Sequence, residues 1–180
     1  MDMQDLWVFG YGSLMWNPGF EHDDRQVATL HGYRRSFCMH SVEHRGTPEE
    51  PGLVLALEEM PMSTCHGVAL RATPAHAQET LAYLRARELV TDAYLERVCP
   101  VQLADGRMVQ ALTYVMDLNH VQYARDLTLP QQAEIIARAV GGRGPNTDYL
   151  SATVAALREQ NIADDELHTL EEMVSGLNLR

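Results

Sequence analysis

Residues 94–115 read YLERVCPVQLADGRMVQALTYV, and their pattern decides the class of fold. Two strand-like runs, Tyr94–Leu103 and Met108–Val115, flank Ala104-Asp105-Gly106-Arg107. Asp-Gly suits a turn that needs positive φ, so the stretch predicts an antiparallel β-hairpin. Upstream, the apolar run Leu6–Phe9 reads as a strand. So do Gln26–Leu30 and Tyr33–Met39, on either side of His31-Gly32, and then Leu53–Leu57 and Cys65–Arg71. A helix interrupts them, with Thr73 as its cap, Pro74 in its first position and Ala77, Leu81 and Leu84 as its apolar stripe. Beyond the hairpin the pattern turns helical. Pro130–Val140 ends at the stop signal Gly141-Gly142. Asn146 or Thr147 caps the next helix, with Tyr149, Leu150, Val154 and Leu157 on one face; Asp164 or Asp165 opens the last, with Leu167, Leu170, Val174 and Leu177 inside. Strands followed by helices, with an antiparallel hairpin among them, give an α+β fold rather than a doubly wound α/β one.

A chain of 180 residues with no repeat and no linker is expected to form one domain over residues 1–180. Its net charge of −11 offers no basic footprint for a nucleic-acid backbone. Cys38, Cys65 and Cys99 are odd in number and far apart, which suits free thiols in a reducing compartment better than a disulfide framework. No apolar run approaches the ~18 residues of a membrane span, so no membrane partner is expected. The opening MDMQDLWVF carries two acids and no basic segment, unlike a signal peptide. A soluble, cytoplasmic protein is the expectation.

FGYGSLMWNPGF, residues 9–20, is the densest candidate for chemistry. A dinucleotide fingerprint fails because Met15 stands where its third glycine belongs, and Asn17-Pro18-Gly19 breaks any helix that would follow. No Gly-Lys-Ser/Thr is present for a Walker loop, and Tyr11 and Met15 replace the glycines of a nucleophile elbow around Ser13. Two readings stay open: a plain glycine turn, or backbone N–H groups exposed to hold a carboxylate or an oxyanion.

A second stretch, SVEHRGTPEEPG at 41–52, is either a solvated loop or a place where His44 and Arg45 meet a substrate carboxylate. Arg45 could equally satisfy Glu43 or Glu49. The third, LRARE at 84–88, closes the Pro74 helix with a glutamate. A helix C-terminus disfavours negative charge, which moves a carboxyl group toward the protonation behaviour of a general acid or base. An ordinary Arg/Glu surface pair explains the same letters. Cys38, His40 and His44 lack zinc spacing, so no metal is expected. Trp7 and Trp16 bracket the glycine loop as core.

Together these stretches resemble the ChaC-type, glutathione-specific γ-glutamylcyclotransferase family. The resemblance is carried by VFGYGSLMW at 8–16, by HRGTP at 44–48 with Pro51-Gly52, and by Gly67-Val68-Ala69. It continues with Arg87-Glu88 followed by Thr91 and Tyr94, and with Asn146-Thr147 and, one residue on, Tyr149-Leu150. The match is colinear from about residue 6 to about residue 155. It implies a γ-glutamylcyclotransferase-like fold, a small mixed β-barrel with flanking helices. It implies a lyase-type enzyme that cleaves glutathione to 5-oxoproline and cysteinylglycine, with no metal, nucleotide or other cofactor. Glu88 is then the catalytic residue, and Phe9, Gly10, Tyr11, Gly12, Ser13 and Leu14 hold the substrate, with Arg45, Tyr94 and Tyr149 as further substrate-binding residues. Some members have Gly-Gly between the glutamate and the tyrosine, where this chain has Leu89-Val90-Thr91-Asp92-Ala93.

In such a reaction the nucleophile is the substrate's own α-amino group, so no serine triad, cysteine or zinc is required. Folding the γ-glutamyl chain so that amine and carbonyl meet is worth up to about 7–11 kcal/mol in good cases. What remains is to move one proton from the amine to the leaving nitrogen, a task for one carboxylate. Two alternatives follow from the same letters: cyclotransfer on other γ-glutamyl amino acids or amines, and a non-catalytic binding protein that regulates cation transport.

Overall fold

The computed structural model describes residues 3–178. Its backbone divides into two compact units, Met1–Ser36 with Ala56–Val121, and Phe37–Leu55 with Gln122–Arg180. Five strands form a closed barrel in the order β1-β3-β2-β4-β5: β1 is Trp7–Gly10, β2 His22–Ser41, β3 Gly52–Ala72, β4 Tyr94–Leu103 and β5 Met108–Met116. The barrel is mixed, because β1 runs antiparallel to β3 (Trp7 opposite Arg71) and parallel to β5 (Trp7 opposite Ala111). This is the expected α+β class.

The 94–115 hairpin forms as read. Its ladder runs from Tyr94 opposite Met116 to Gln102 opposite Met108. Gly106 supplies the left-handed residue at φ +90°, and the Asp105 carboxylate accepts bonds from the Arg107 Nε–H and backbone N–H. Those bonds hold the Asp105 pKa down at about 2. Two boundaries differ from the sequence reading. Gln26–Leu30 and Tyr33–Met39 are one strand, because Gly32 bends at φ +83° without ending it. Leu53–Leu57 and Cys65–Arg71 likewise belong to one 21-residue strand, which runs on through EEMPMST with Glu58 buried and Met62 exposed.

In the first unit a 3₁₀ turn, Pro74–His76, leads into α1, Ala77–Glu88. Thr73 stands at the entry without a side-chain cap bond. The spacing Ala77, Thr80, Leu81, Leu84 puts one face of α1 into the core with Leu6, Val8, Leu14, Ala72, Leu112 and Tyr114. Leu84 is fully buried; burying one such side chain contributes on the order of 1.5–3 kcal/mol. This packing fixes where the last turn of α1 emerges.

In the second unit α2 (Leu129–Arg138), α3 (Asn146–Glu159) and α4 (Asp165–Asn178) pack on one another. Thr128 and Gln131 form a capping box on α2, and Asp164 caps α4 by accepting the Leu167 N–H. Three expectations are corrected. The α2 helix stops at Arg138, and Gly141 instead pairs with Gly144 in a small hairpin of β6 (Val140–Gly141) and β7 (Gly144–Pro145). Asn146 is the first residue of α3 rather than its cap, and Leu177 is exposed on α4 rather than inside. All three cysteines are buried and none is in a disulfide. Among the described residues no helix is long and apolar enough to cross a membrane.

Candidate active site

The glycine loop leaves the barrel at the end of β1. Trp7, Val8 and Phe9 are almost wholly buried, which explains the unbroken apolar run and makes Phe9 a core side chain. Residues Ser13–Met15 form a 3₁₀ turn, closed by the Met15 N–H on Gly12 O (2.8 Å) and the Asn17 N–H on Ser13 O (2.8 Å). The first N–H groups of such a turn have no partner within it. Gly10 is required by close approach, since a Cβ there would sit 2.9 Å from Leu14 Cβ.

Several strands fix the loop. The Tyr11 hydroxyl donates to Tyr114 O at 2.8 Å, and the Thr113 hydroxyl donates to Phe9 O at 3.1 Å. From β2, the buried Arg35 Nη1 donates to Tyr11 O (3.1 Å) and His66 O (2.9 Å). Trp7 is core as expected, whereas Trp16 is only half-buried.

Glu88 is the last residue of α1, with a side chain 17% exposed. Its Oε1 lies 3.0 Å from Arg87 Nε. The same guanidinium reaches the glycine loop: Nη2 donates to Ser13 Oγ at 2.8 Å, and Nη1 donates to Asn17 O at 2.7 Å. Nη1 also contacts Pro18 O (3.3 Å) and the Tyr83 hydroxyl (2.9 Å). One side chain therefore joins Glu88 to a loop some seventy residues earlier.

Beside this, Arg85 grips Glu96 with two bonds, 2.9 and 2.7 Å, and holds that carboxyl below its ordinary range. The Tyr114 hydroxyl donates to Glu96 at 3.4 Å. Burial first, then the charges of Glu96 and Glu88, push the Tyr114 phenol well above its ordinary value, so it stays protonated. Tyr94, half-buried at the start of β4, packs against the same core cluster. The intervening loop turns at Asp92, φ +54°.

The remaining sequence-predicted residues, Arg45 and Tyr149, lie in the second unit. The Arg45 guanidinium stands 5.7 Å from the centre of the Tyr149 ring, and Nη1 donates to Arg143 O (2.7 Å) and Pro145 O (3.0 Å). Tyr149 meets Phe37 edge to face. The HRGTP stretch is held by backbone contact. A Cβ on Gly46 would overlap Gly52 N, one on Gly52 would overlap Arg45 O, and one on Gly141 would overlap Gly46 N. Buried Asn146 clasps Leu53 through both backbone groups, at 2.6 and 2.7 Å. His44 is pushed below its ordinary value, first by burial and then by the Arg143 charge.

Sequence reasoning had not singled out Tyr114 or Arg35, which sit in strand runs with no local signal. Arg87 carries a signal only through its neighbour Glu88, and Asn146 only as a cap and as part of the Asn146-Thr147 motif. Among the described residues no group of three His, Cys, Asp or Glu side chains could hold a metal ion.

The family model for ChaC-like proteins matches residues 6–177. The chain belongs to the ChaC-like family. It is 39% identical over 176 residues to the glutathione-specific γ-glutamylcyclotransferase of Escherichia coli (strain K12), covering 98% of this chain and 75% of that protein. To the glutathione-specific γ-glutamylcyclotransferase of Schizosaccharomyces pombe it is 33% identical over 183 residues, covering 92% and 89%. A crystal structure of the yeast γ-glutamyl cyclotransferase specific to glutathione superposes with a TM-score of 0.86 at 26% identity, over 96% of each chain. The ChaC-like relatives are thus enzymes of one class, and this ChaC-like chain has their fold, with both the glycine loop and Glu88 inside the matched segment.

Proposed function

We propose that the protein is a glutathione-specific γ-glutamylcyclotransferase with Glu88 as its general base and acid. The observation that carries this reading is the Arg87 bridge, which brings the Glu88 carboxylate and the Ser13 hydroxyl within reach of one guanidinium. A carboxylate beside a glycine-rich loop is what an intramolecular cyclisation needs. The relatives named above make glutathione the substrate to test first.

In this scheme Glu88 takes a proton from the substrate α-ammonium group, and the freed amine attacks its own γ-carbonyl carbon. A five-membered lactam forms as the C–N bond to the cysteine nitrogen breaks. Glu88 returns the proton to that nitrogen, which also receives the proton that the attacking nitrogen sheds on becoming the lactam N–H, so 5-oxoproline and the cysteinylglycine ammonium are released. Proton transfer of this kind contributes roughly 10²–10⁴-fold. The loop's N–H groups hold the γ-oxygen or the α-carboxylate, where preorganised donors count most. Phe9 supports the loop from the core, Leu14 and Tyr94 wall it, and Arg45 and Tyr149 take no chemical step.

The test is to incubate the purified protein with glutathione and analyse the products by mass spectrometry. The expected result is 5-oxoproline and cysteinylglycine in equal amounts. Turnover only of other γ-glutamyl amino acids or amines would move the substrate class. Saturable heat in a titration, with intact glutathione recovered, would indicate a binding protein instead.

A further inference from the structure

Arg87 is 14% exposed, and all three of its guanidinium nitrogens have partners. An ordinary surface arginine holds one carboxylate and gains little from it. This one spans three kinds of partner: the Glu88 carboxylate, the Ser13 hydroxyl, and the carbonyls of Asn17 and Pro18 where the glycine loop leaves. The exit is built around it. Gly19 is left-handed at φ +73°, and any Cβ there would overlap the Tyr83 hydroxyl, which itself accepts from Arg87 Nη1. The planar fork of an arginine can hold several directions at once, which a lysine ammonium on a flexible stem cannot.

We infer that Arg87 is a positioning residue, setting the Glu88 carboxylate against the glycine loop so that base and substrate cradle stay in register. This rests on the cyclotransferase reading. Two effects follow. The first is geometric: a misplacement of about 1 Å in a reacting group can cost on the order of 100-fold in rate. The second is electrostatic: the cation favours the ionised carboxylate, the form that accepts a proton. Of the titratable groups nearby, Tyr114 on β5 is a protonated phenol that the Glu88 charge pushes further up, and Glu96 on β4 is paired with Arg85.

The test is steady-state kinetics on glutathione from pH 5 to 9 for wild type, Arg87→Gln and Arg87→Lys, with thermal unfolding of each. In Arg87→Gln, kcat is expected to fall on the order of 100-fold while KM stays within about threefold, and the acid limb of kcat/KM moves to higher pH. Arg87→Lys returns the limb to its wild-type position but recovers kcat only in part. A folded Arg87→Gln with kcat within about threefold of wild type overturns the inference. So does a loss confined to KM with an unmoved acid limb, since a purely structural arm would give that. Should Arg87→Gln fail to fold, Arg87→Lys decides: wild-type kcat in it overturns the inference, and reduced kcat with an unmoved limb supports it. A wild type inactive on every γ-glutamyl compound overturns the cyclotransferase reading and this inference together, whereas an active wild type with an indifferent Arg87→Gln overturns this inference alone.

Discussion

Two glycine-rich regions, one in each unit, look alike as strings of letters and differ in physical kind. In the first, Gly10 lets Leu14 approach, and the turn that follows is held by side chains that carry charge: Arg35 under Tyr11, and Arg87 against Ser13 and Asn17. In the second, Gly46, Gly52 and Gly141 bring three backbones into contact, and a neutral buried amide, Asn146, locks Leu53. The first arrangement joins the Glu88 carboxylate to the loop through the Arg87 guanidinium. In the second, the Arg45 Nη1 donates to the carbonyl oxygens of Arg143 and Pro145 and its guanidinium stands by the Tyr149 ring. Glycine enrichment marks close approach in both; what differs is whether a charged side chain or a neutral amide locks it.

That contrast can be broken by substitution. Gly46→Ala should damage stability strongly, because the new Cβ meets backbone rather than a movable side chain, and overpacking costs about 1–3 kcal/mol, more where backbone must shift. Chemical denaturation would measure it. Asn146→Ala strands two backbone groups of Leu53, at about 1–3 kcal/mol each, and a fall in denaturation midpoint with unchanged slope is the signature. A stable Asn146→Ala would mean that water replaces the amide.

In the first unit Gly10→Val should lower turnover far more than Ser13→Ala. The valine displaces Leu14 and reshapes the cradle, whereas the alanine removes one of several anchors of Arg87. A reversed order would make the Ser13 hydroxyl a working group.

The smallest effect is on pH. His40 is pushed down by burial, with its Nδ1 unpartnered, and His44 is pushed down as well, from an ordinary value of 6.5. A depressed imidazole favours the neutral form in the fold, so the unfolded chain takes up the proton first. The contribution is intact above about pH 6.5 and is lost progressively as pH falls from there through the lower folded-state values. Glu96, depressed from 4.5 by Arg85, loses its contribution only at lower pH. Thermal unfolding between pH 7.5 and 5 should show a mild loss that His40→Gln and His44→Gln together remove.

Much of the fold was legible because its signals were local. Asp105-Gly106 dictates a hairpin, and Ala77, Leu81 and Leu84 dictate a helix face. Where the reading failed, a distant contact overrode a local rule. Gly141 looks like a helix stop, yet it is glycine because Gly46 lies against it, and Asn146 looks like a cap until Leu53 claims its amide. Of the site, Glu88 and the loop were readable as motifs. Their connection was not, because the Arg87 partners Ser13 and Asn17 lie about seventy residues upstream.

The most direct test of the account is kcat for Glu88→Gln on glutathione, with its thermal midpoint measured alongside. The account predicts an unchanged fold and a loss of roughly 10²–10⁴-fold, the share that a positioned proton carrier supplies. A correctly folded Glu88→Gln that turns over glutathione at near the wild-type rate would contradict it.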